Sequence, residues 1–254
     1  VNLGGFLKEF NMNINSPILI TGCARSGTSF TAGIFHICGA WGGKFVSAGF
    51  NNQKGFFENA AIRNKICKPF LESIGADPKG QYPLPEINII KDYVVNSQFA
   101  DIWRYKILGV LNEQKYNPNN SPWFYKGAKM CLMWPIWNAA FPDAKWIIVR
   151  RDKEDIISSC LKTGFMSAYK DKQGWEGWVD YHLTRFEEIK KSCKNVYEVY
   201  PQEMIEGNFT NIKKIIECFN LIWKEKEVIE FITPALWSEV IRKGEFSNGK
   251  SHRS

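Results

Sequence analysis

Residues 21–30 read TGCARSGTSF, and the residue types and spacing in that stretch are suited to holding an anion. Gly22 and Gly27 permit close backbone approach, Ser26, Thr28 and Ser29 supply hydroxyls, and Cys23, Ala24 and Arg25 complete the turn. The glycines match those of the phosphate loop G-x-x-x-x-G-K-[ST], whose backbone N–H groups cradle phosphates at a helix N-terminus. Thr28 stands where that pattern has lysine, and the nearest cation is Arg25, inside the turn. A nucleoside triphosphatase uses the lysine on the β- and γ-phosphates, beside magnesium. Without it, the loop suits a diphosphate-like ligand whose far end carries less charge.

A second constellation lies in FPDAKWIIVRRDKEDIISS, residues 141–159. Arg151 closes an apolar strand, and Ser159 follows eight residues later, on the next helix. An arginine at a strand end and a serine two turns into the helix can face one phosphate above the sheet edge. Arg150 with Ser158 is the competing register, and a solvated charge cluster is the bland alternative.

These groups need elements to position them. Ile18–Thr21 reads as a buried strand, followed by helical spacing over 30–38 and a C-cap at Gly39. Residues 41–59, rich in glycine and asparagine, read as a long loop, and 60–120 as helical pieces broken by Pro83, Pro85 and the NPNN turn. WFYK (123–126) reads as a strand, and CLMWPIWNAAF as a helix bent or begun near Pro135. Residues 146–149 are wholly apolar, as a central parallel strand requires, with a helix over about 152–161. A strand at 196–199 and amphipathic helices over 211–219 and 224–232 complete the pattern. The expectation is one α/β domain over 1–254: a P-loop-like central parallel β-sheet flanked by helices, with ligands at the strands' carboxyl ends.

The chain has 254 residues, enough for one substantial core, and its net charge of +7 favours an anionic ligand. Seven cysteines stand singly, without CxxC or Cys/His ligand spacing, so no metal site is expected. Reduced, mostly buried thiols imply a reducing compartment. No apolar run reaches ~20 residues and the first residues lack a signal-peptide core, so a soluble cytoplasmic protein without a membrane span is expected, unless an anchor has been trimmed away. Nothing resembles a nucleic-acid-binding motif.

Sulfuryl transfer fits such a loop, because its leaving group is a nucleotide phosphate and it needs no magnesium. ARSGTS resembles the 5′-phosphosulfate-binding loop of the sulfotransferases, particularly the carbohydrate and bacterial branches with arginine in the loop. That resemblance implies 3′-phosphoadenylyl sulfate (PAPS) as donor, adenosine 3′,5′-bisphosphate as product, and Arg25 stabilising charge on the bridging oxygen. The 141–159 segment is similar to the family's 3′-phosphate site. It favours Arg151 with Ser159, since Asp155 then matches the family's acid, although Lys153 replaces the usual proline. YKGAKMCLMWPIW (125–137) resembles the family's K-x-P-R segment, with Lys126 a candidate for the sulfuryl group and Lys129 on the arginine position; a surface lysine pair is the alternative. VYPQEMIEG (199–207) suggests Tyr200 on the adenine side, and IRKGEFSNGK places Arg242, Lys243 and Gly244 on the family's RKG segment, without its tryptophan.

The acceptor, a small molecule or carbohydrate with a hydroxyl or amine, needs a base. GFFENAAIRN (55–64) resembles the G-Y-F-E loop of arginine-loop sulfotransferases, making Glu58 the candidate, with a helix-start glutamate as the rival reading. His36 reads as a core histidine, and His182 lies remote from both motifs. A P-loop nucleotide or small-molecule kinase and a non-catalytic nucleotide-binding protein remain the alternatives. The acceptor's identity and the oligomeric state carry no code that we can read.

Overall fold

Four short strands form one wholly parallel sheet: β1 (Ile18–Gly22), β2 (Phe124–Lys126), β3 (Lys145–Val149) and β4 (Asn195–Val199), in the order β2-β1-β3-β4. The computed structural model describes residues 16–47, 54–95 and 97–232. Register is set by Ile18 opposite Phe124 and Lys145, Gly22 opposite Val149, and Val149 opposite Val199.

A parallel sheet needs both faces covered, and successive side chains point to opposite faces. Ile18, Ile20, Ile147 and Val149 pack with α1 (Thr28–Ile37), and on the same face lie α9 (Thr210–Cys218) and α10 (Glu225–Phe231). Leu19, Trp146 and Ile148 face the larger layer. It holds α2 (Lys68–Ser73), α3 (Ile87–Val95), α4 (Ser97–Glu113), α5 (Trp134–Ala140), α6 (Lys153–Leu161) and α7 (Lys172–Ser192). The short α8 (Pro201–Ile205) follows β4. In α7, Trp175, Trp178, Val179, His182, Phe186 and Ile189 recur at helical spacing and are buried, and Asp171 caps its start by accepting from the Gly174 N–H.

Two local expectations are sharpened. The segment near Pro135 is not one bent helix: a 3₁₀ helix over Ala128–Met133 gives way to α5, with proline in its first turn. Residues 41–59 are not all loop, because Val46 N–H donates to Glu58 O and Ala60 N–H to Lys44 O, an antiparallel clip around the Phe45–Asn59 bridge. No helix among the described residues is long and apolar enough to cross a membrane.

All four strands end at one edge of the sheet. The loop after β1, Lys126, the Arg150–Arg151 pair and Tyr200 therefore emerge there together.

Candidate active site

The turn after β1 has the conformation of an anion cradle. Arg25 (φ 71°) and Gly27 (φ 95°) both take the left-handed region, which turns successive N–H groups to one side. Helix α1 begins at Thr28 with no side chain capping Gly27, so the Thr28 and Ser29 N–H groups have no acceptor one turn back. Gly22 has to be glycine: a Cβ there would stand 2.7 Å from Val149 O and 2.8 Å from Ser26 Oγ. The Ser26 hydroxyl is buried without a partner among the described residues. This geometry fits a phosphate, which is what a nucleotide donor would place there. Cys23 contributes backbone alone, since its side chain is in the core and burial raises its thiol pKa well above the ordinary value, with Cys131 and Cys160 adding to the effect. Ala24 packs against the same core.

On the β3 side, Arg25 comes together with the pair expected at Arg151 and Ser159. Arg25 Nε donates to Ser159 Oγ at 3.1 Å, and Arg151 Nη1 donates to Arg25 O at 2.9 Å. Asp155 lies 3.6 Å from Arg151 Nε, and Asp152 caps α6 by accepting from the Asp155 N–H. Burial lowers the pKa of both Arg25 and Arg151; near Arg25 the adjacent Arg151 charge lowers it further. Arg25 has no carboxylate partner among the described residues. Arg150 does: it is bound to Glu198 at 2.6 Å and to Glu187 at 2.7 Å, and Ser158 is exposed. The Arg150–Ser158 register is thus committed elsewhere.

On the β2 side, Lys126 is 3% exposed and its Nζ donates to Ser29 Oγ and to Glu58 Oε1, both at 3.0 Å. The other Glu58 oxygen lies 2.8 Å from Arg63 Nε. Burial alone would raise the Glu58 pKa, but Lys126, Lys129 and Arg63 outweigh it and bring it to about 2. Burial lowers Lys126, and Glu58 offsets part of that. Thr21 Oγ1 fixes the backbone beside Lys126, donating to Gly127 O and accepting from the Cys131 N–H, each at 3.1 Å.

Several placements differ from the sequence reading. Glu58 does not start a helix: Asn59 does, its Oδ1 accepting from the Ala61 and Ile62 N–H groups while its Nδ2 donates to Gly42 O and Gln114 Oε1. His36 is not a core histidine but an exposed one, packed on Phe45 and Phe57. His182 is the buried one, donating from Nδ1 to Trp178 O at 2.8 Å, with a pKa lowered by burial to about 4. Tyr200 follows β4 at the same sheet edge, its ring exposed and its hydroxyl donating to Glu198 Oε2. Arg242, Lys243 and Gly244 lie outside the described residues. Arg63, Thr21, Asn59 and Gln114 carry no sequence signal beyond Asn59's place before a helical stretch, because their partners are distant along the chain.

A left-handed turn leading into a helix, flanked by cations at the carboxyl ends of a parallel sheet, is a P-loop-like arrangement. Residues 17–225 match the sulfotransferase family, and the chain belongs to it. It is an enzyme of sulfuryl transfer. No curated protein matches the chain in sequence. Among solved structures it is similar to the sulfotransferase domain of the Synechococcus PCC 7002 olefin synthase, with a TM-score of 0.56, 10% identity, and coverage of 91% of this chain and 82% of that one. It also resembles sulfotransferase STF9 from Mycobacterium avium (TM-score 0.50, 13% identity, 98% and 73% covered) and the sulfotransferase domain of the curacin biosynthetic pathway (0.50, 12%, 88% and 80%). At these identities the likeness concerns the fold.

Proposed function

We propose that the enzyme moves a sulfuryl group from PAPS to the hydroxyl or amine of a small-molecule or carbohydrate acceptor, leaving adenosine 3′,5′-bisphosphate. The carrying observation is the strand order β2-β1-β3, which flanks the phosphate cradle with Lys126 on one side and the Arg25–Arg151–Ser159 cluster on the other. Two anionic ends of one donor would satisfy both. Arg151 and Ser159 hold the 3′-phosphate, and the N–H groups of Thr28 and Ser29 hold the 5′-phosphate. Lys126, already on Ser29, supports the charge that develops as the sulfur–oxygen bond to that phosphate breaks. With these cations in place the step needs no metal ion. Tyr200 and the 242–244 segment complete the nucleotide site in this reading. Seven free cysteines, six of them buried, suit a reducing compartment such as the cytoplasm.

Glu58 enters this scheme in two stages. At rest it is ionised and anchors Lys126, and with a pKa of about 2 it is a weak base. When Lys126 turns to the donor, Oε1 loses its strongest partner and its proton affinity rises. It then accepts the proton of the attacking hydroxyl.

The test is thermal shift with adenosine 3′,5′-bisphosphate in chelator, against ATP with magnesium. Stabilisation by the bisphosphate is expected; stabilisation by ATP–magnesium alone would overturn PAPS as the donor.

A further inference from the structure

Phe57, the residue before Glu58, has φ 51°. In that left-handed region the Cβ of an L-residue crowds the following carbonyl oxygen, and a bulky side chain is a rare occupant. Such a conformation persists only where its surroundings over-determine it. At Phe57 aromatic packing does so. Its ring lies 5.3 Å from Phe45 and 6.0 Å from both His36 and Phe231, centroid to centroid. Beneath it runs bare helix backbone: a Cβ at Gly33 in α1 would stand 3.1 Å from Phe57 Cε2 and 2.3 Å from Phe231 Cζ. The missing side chain at Gly33 gives both rings their seat.

Phe231, the last residue of α10, reaches further than this cage. Its ring stacks on Phe30, 6.0 Å away with the planes 21° apart, and meets the Phe57 ring at 81°. Phe30 follows Ser29, and Phe57 precedes Glu58. Ser29 and Glu58 are the two groups to which the buried Lys126 Nζ donates, each at 3.0 Å. One ring thus joins the two stretches of backbone that carry the partners of Lys126. On its other side Glu58 is fixed by the clip and the helix start: its carbonyl accepts from the Val46 N–H at 2.8 Å, and Asn59 caps the Ala61 and Ile62 N–H groups. The turn at Phe57 sets the direction from which Glu58 enters the site.

We propose that Phe57 is a positioning residue: its left-handed turn, wedged by Phe231 against the bare backbone of Gly33, aims the Glu58 carboxylate at Lys126. Through Phe231, α10 takes part in building the site. The catalytic meaning of that aim rests on the sulfuryl-transfer reading, in which Lys126 turns to the donor and Glu58 takes the acceptor's proton. The aim itself does not depend on it.

The experiment reads hydrogen exchange of the Lys126 ammonium by ¹⁵N NMR at neutral pH without nucleotide, with Lys126→Gln identifying the signal. In the wild type the ammonium should be protected, since it is buried and held by Ser29 and Glu58. Glu58→Ala gives the rate for an ammonium that has lost its carboxylate. Glycine takes a positive φ without strain but has no ring to hold the turn in one place. Phe57→Gly should therefore speed exchange about tenfold or more, the loss of one charge-assisted bond, and approach the Glu58→Ala rate. Phe231→Leu keeps an apolar side chain but loses the ring that bridges Phe30 and Phe57. It should move the rate in the same direction, and gives the same reading should Phe57→Gly fail to fold. A purely structural ring would lower the unfolding midpoint of these variants and leave Lys126 as protected as in the wild type; that result overturns the proposal. So does an unprotected Lys126 in the wild type, which would mean that no aimed pair exists. Bisphosphate binding and the turnover of Glu58→Gln decide the sulfuryl-transfer reading separately, so that reading can fail while the exchange result stands.

Discussion

Arg25 Nε and Ser159 Oγ, 134 residues apart in sequence, are hydrogen-bonded at 3.1 Å. The bond ties the turn after β1 to the helix after β3. Arg151 reinforces it by donating to the Arg25 carbonyl, so two guanidinium groups share one corner, with Asp155 and Asp152 as counter-charges to Arg151. Like charges held this close are tolerated where an anion joins them. The arrangement is consistent with a preformed phosphate site rather than a salt-bridge network.

Arg151→Ala should therefore weaken adenosine 3′,5′-bisphosphate binding by on the order of 2 kcal/mol and Ser159→Ala by about 1 kcal/mol, as measured by calorimetry. Arg150→Ala should leave that affinity within twofold. Its contacts are with Glu198, Glu187 and the Phe186 ring, so its loss should cost about 1 kcal/mol of stability, given the partial exposure of both carboxylates. An Arg150→Ala protein that cannot bind the bisphosphate would move the site by one residue.

Gly22→Ala should be damaging although the change is one methyl group. The added carbon meets the Val149 carbonyl, a backbone atom of the neighbouring strand that cannot swing away. Overpacking of this kind costs about 1–3 kcal/mol. Denaturant unfolding should show that loss, with bisphosphate affinity falling as the loop is displaced. A variant as stable and as tight as wild type would mean the loop has slack that its geometry does not suggest.

Sequence made the sheet and the glycine turn after β1 legible for a physical reason. Strands buried on both faces read as apolar runs, and Ile18–Ile20 and Trp146–Val149 are such runs, while Gly22 marks where backbone passes close and Gly27 where it takes a positive φ. Sequence could not show pairings between distant polar groups. The Lys44–Val46 clip against Glu58–Ala60 hides in a segment of loop composition, and Asn59 and Gln114, 55 residues apart, meet only in the folded chain. His36 was misjudged because apolar neighbours in sequence do not say which side of a helix faces the core; the ring lies on the exposed side. The Glu58 bridge between Lys126 and Arg63 was equally invisible, since Lys126 lies 68 residues from Glu58 and meets it only through the fold.

His182 should give the protein an acid-sensitive limb. Its pKa falls from 6.5 to about 4 in the fold, burial being the larger cause, with the Trp178 carbonyl working the other way. Between those values the unfolded chain binds a proton that the native state refuses, so stability is complete above about pH 6.5 and declines as pH falls toward 4. The full drop is on the order of 3 kcal/mol. Unfolding free energy measured from pH 7.5 to 4.5 should show that slope, and His182→Gln should flatten it at some fixed cost in packing against Trp178. If the slope survives the substitution, another buried group carries it.

Glu58→Gln decides what the carboxylate does. Glutamine keeps an oxygen that can accept from Lys126, so the resting geometry should hold, but it removes the buried counter-charge of Lys126 and Arg63. A stability loss on the order of 3 kcal/mol is expected from that alone. The wild-type carboxyl, held at about 2 against 4.5 unfolded, contributes its stability fully above about pH 4.5 and loses it as pH falls toward 2; the variant should lack that loss. For catalysis the two roles diverge. If Glu58 accepts the proton once Lys126 has turned to the donor, turnover with any working acceptor should fall by roughly 10²–10⁴-fold while bisphosphate affinity stays within twofold. If it serves only to orient Lys126, glutamine should retain turnover within about fivefold, because the hydrogen bond that orients the ammonium survives. Glu58→Ala sharpens the choice. Added formate can restore a missing proton acceptor in the vacated space, but cannot restore the tether that aims Lys126. Rescue of turnover by formate, saturating with formate concentration, would fix Glu58 as the base.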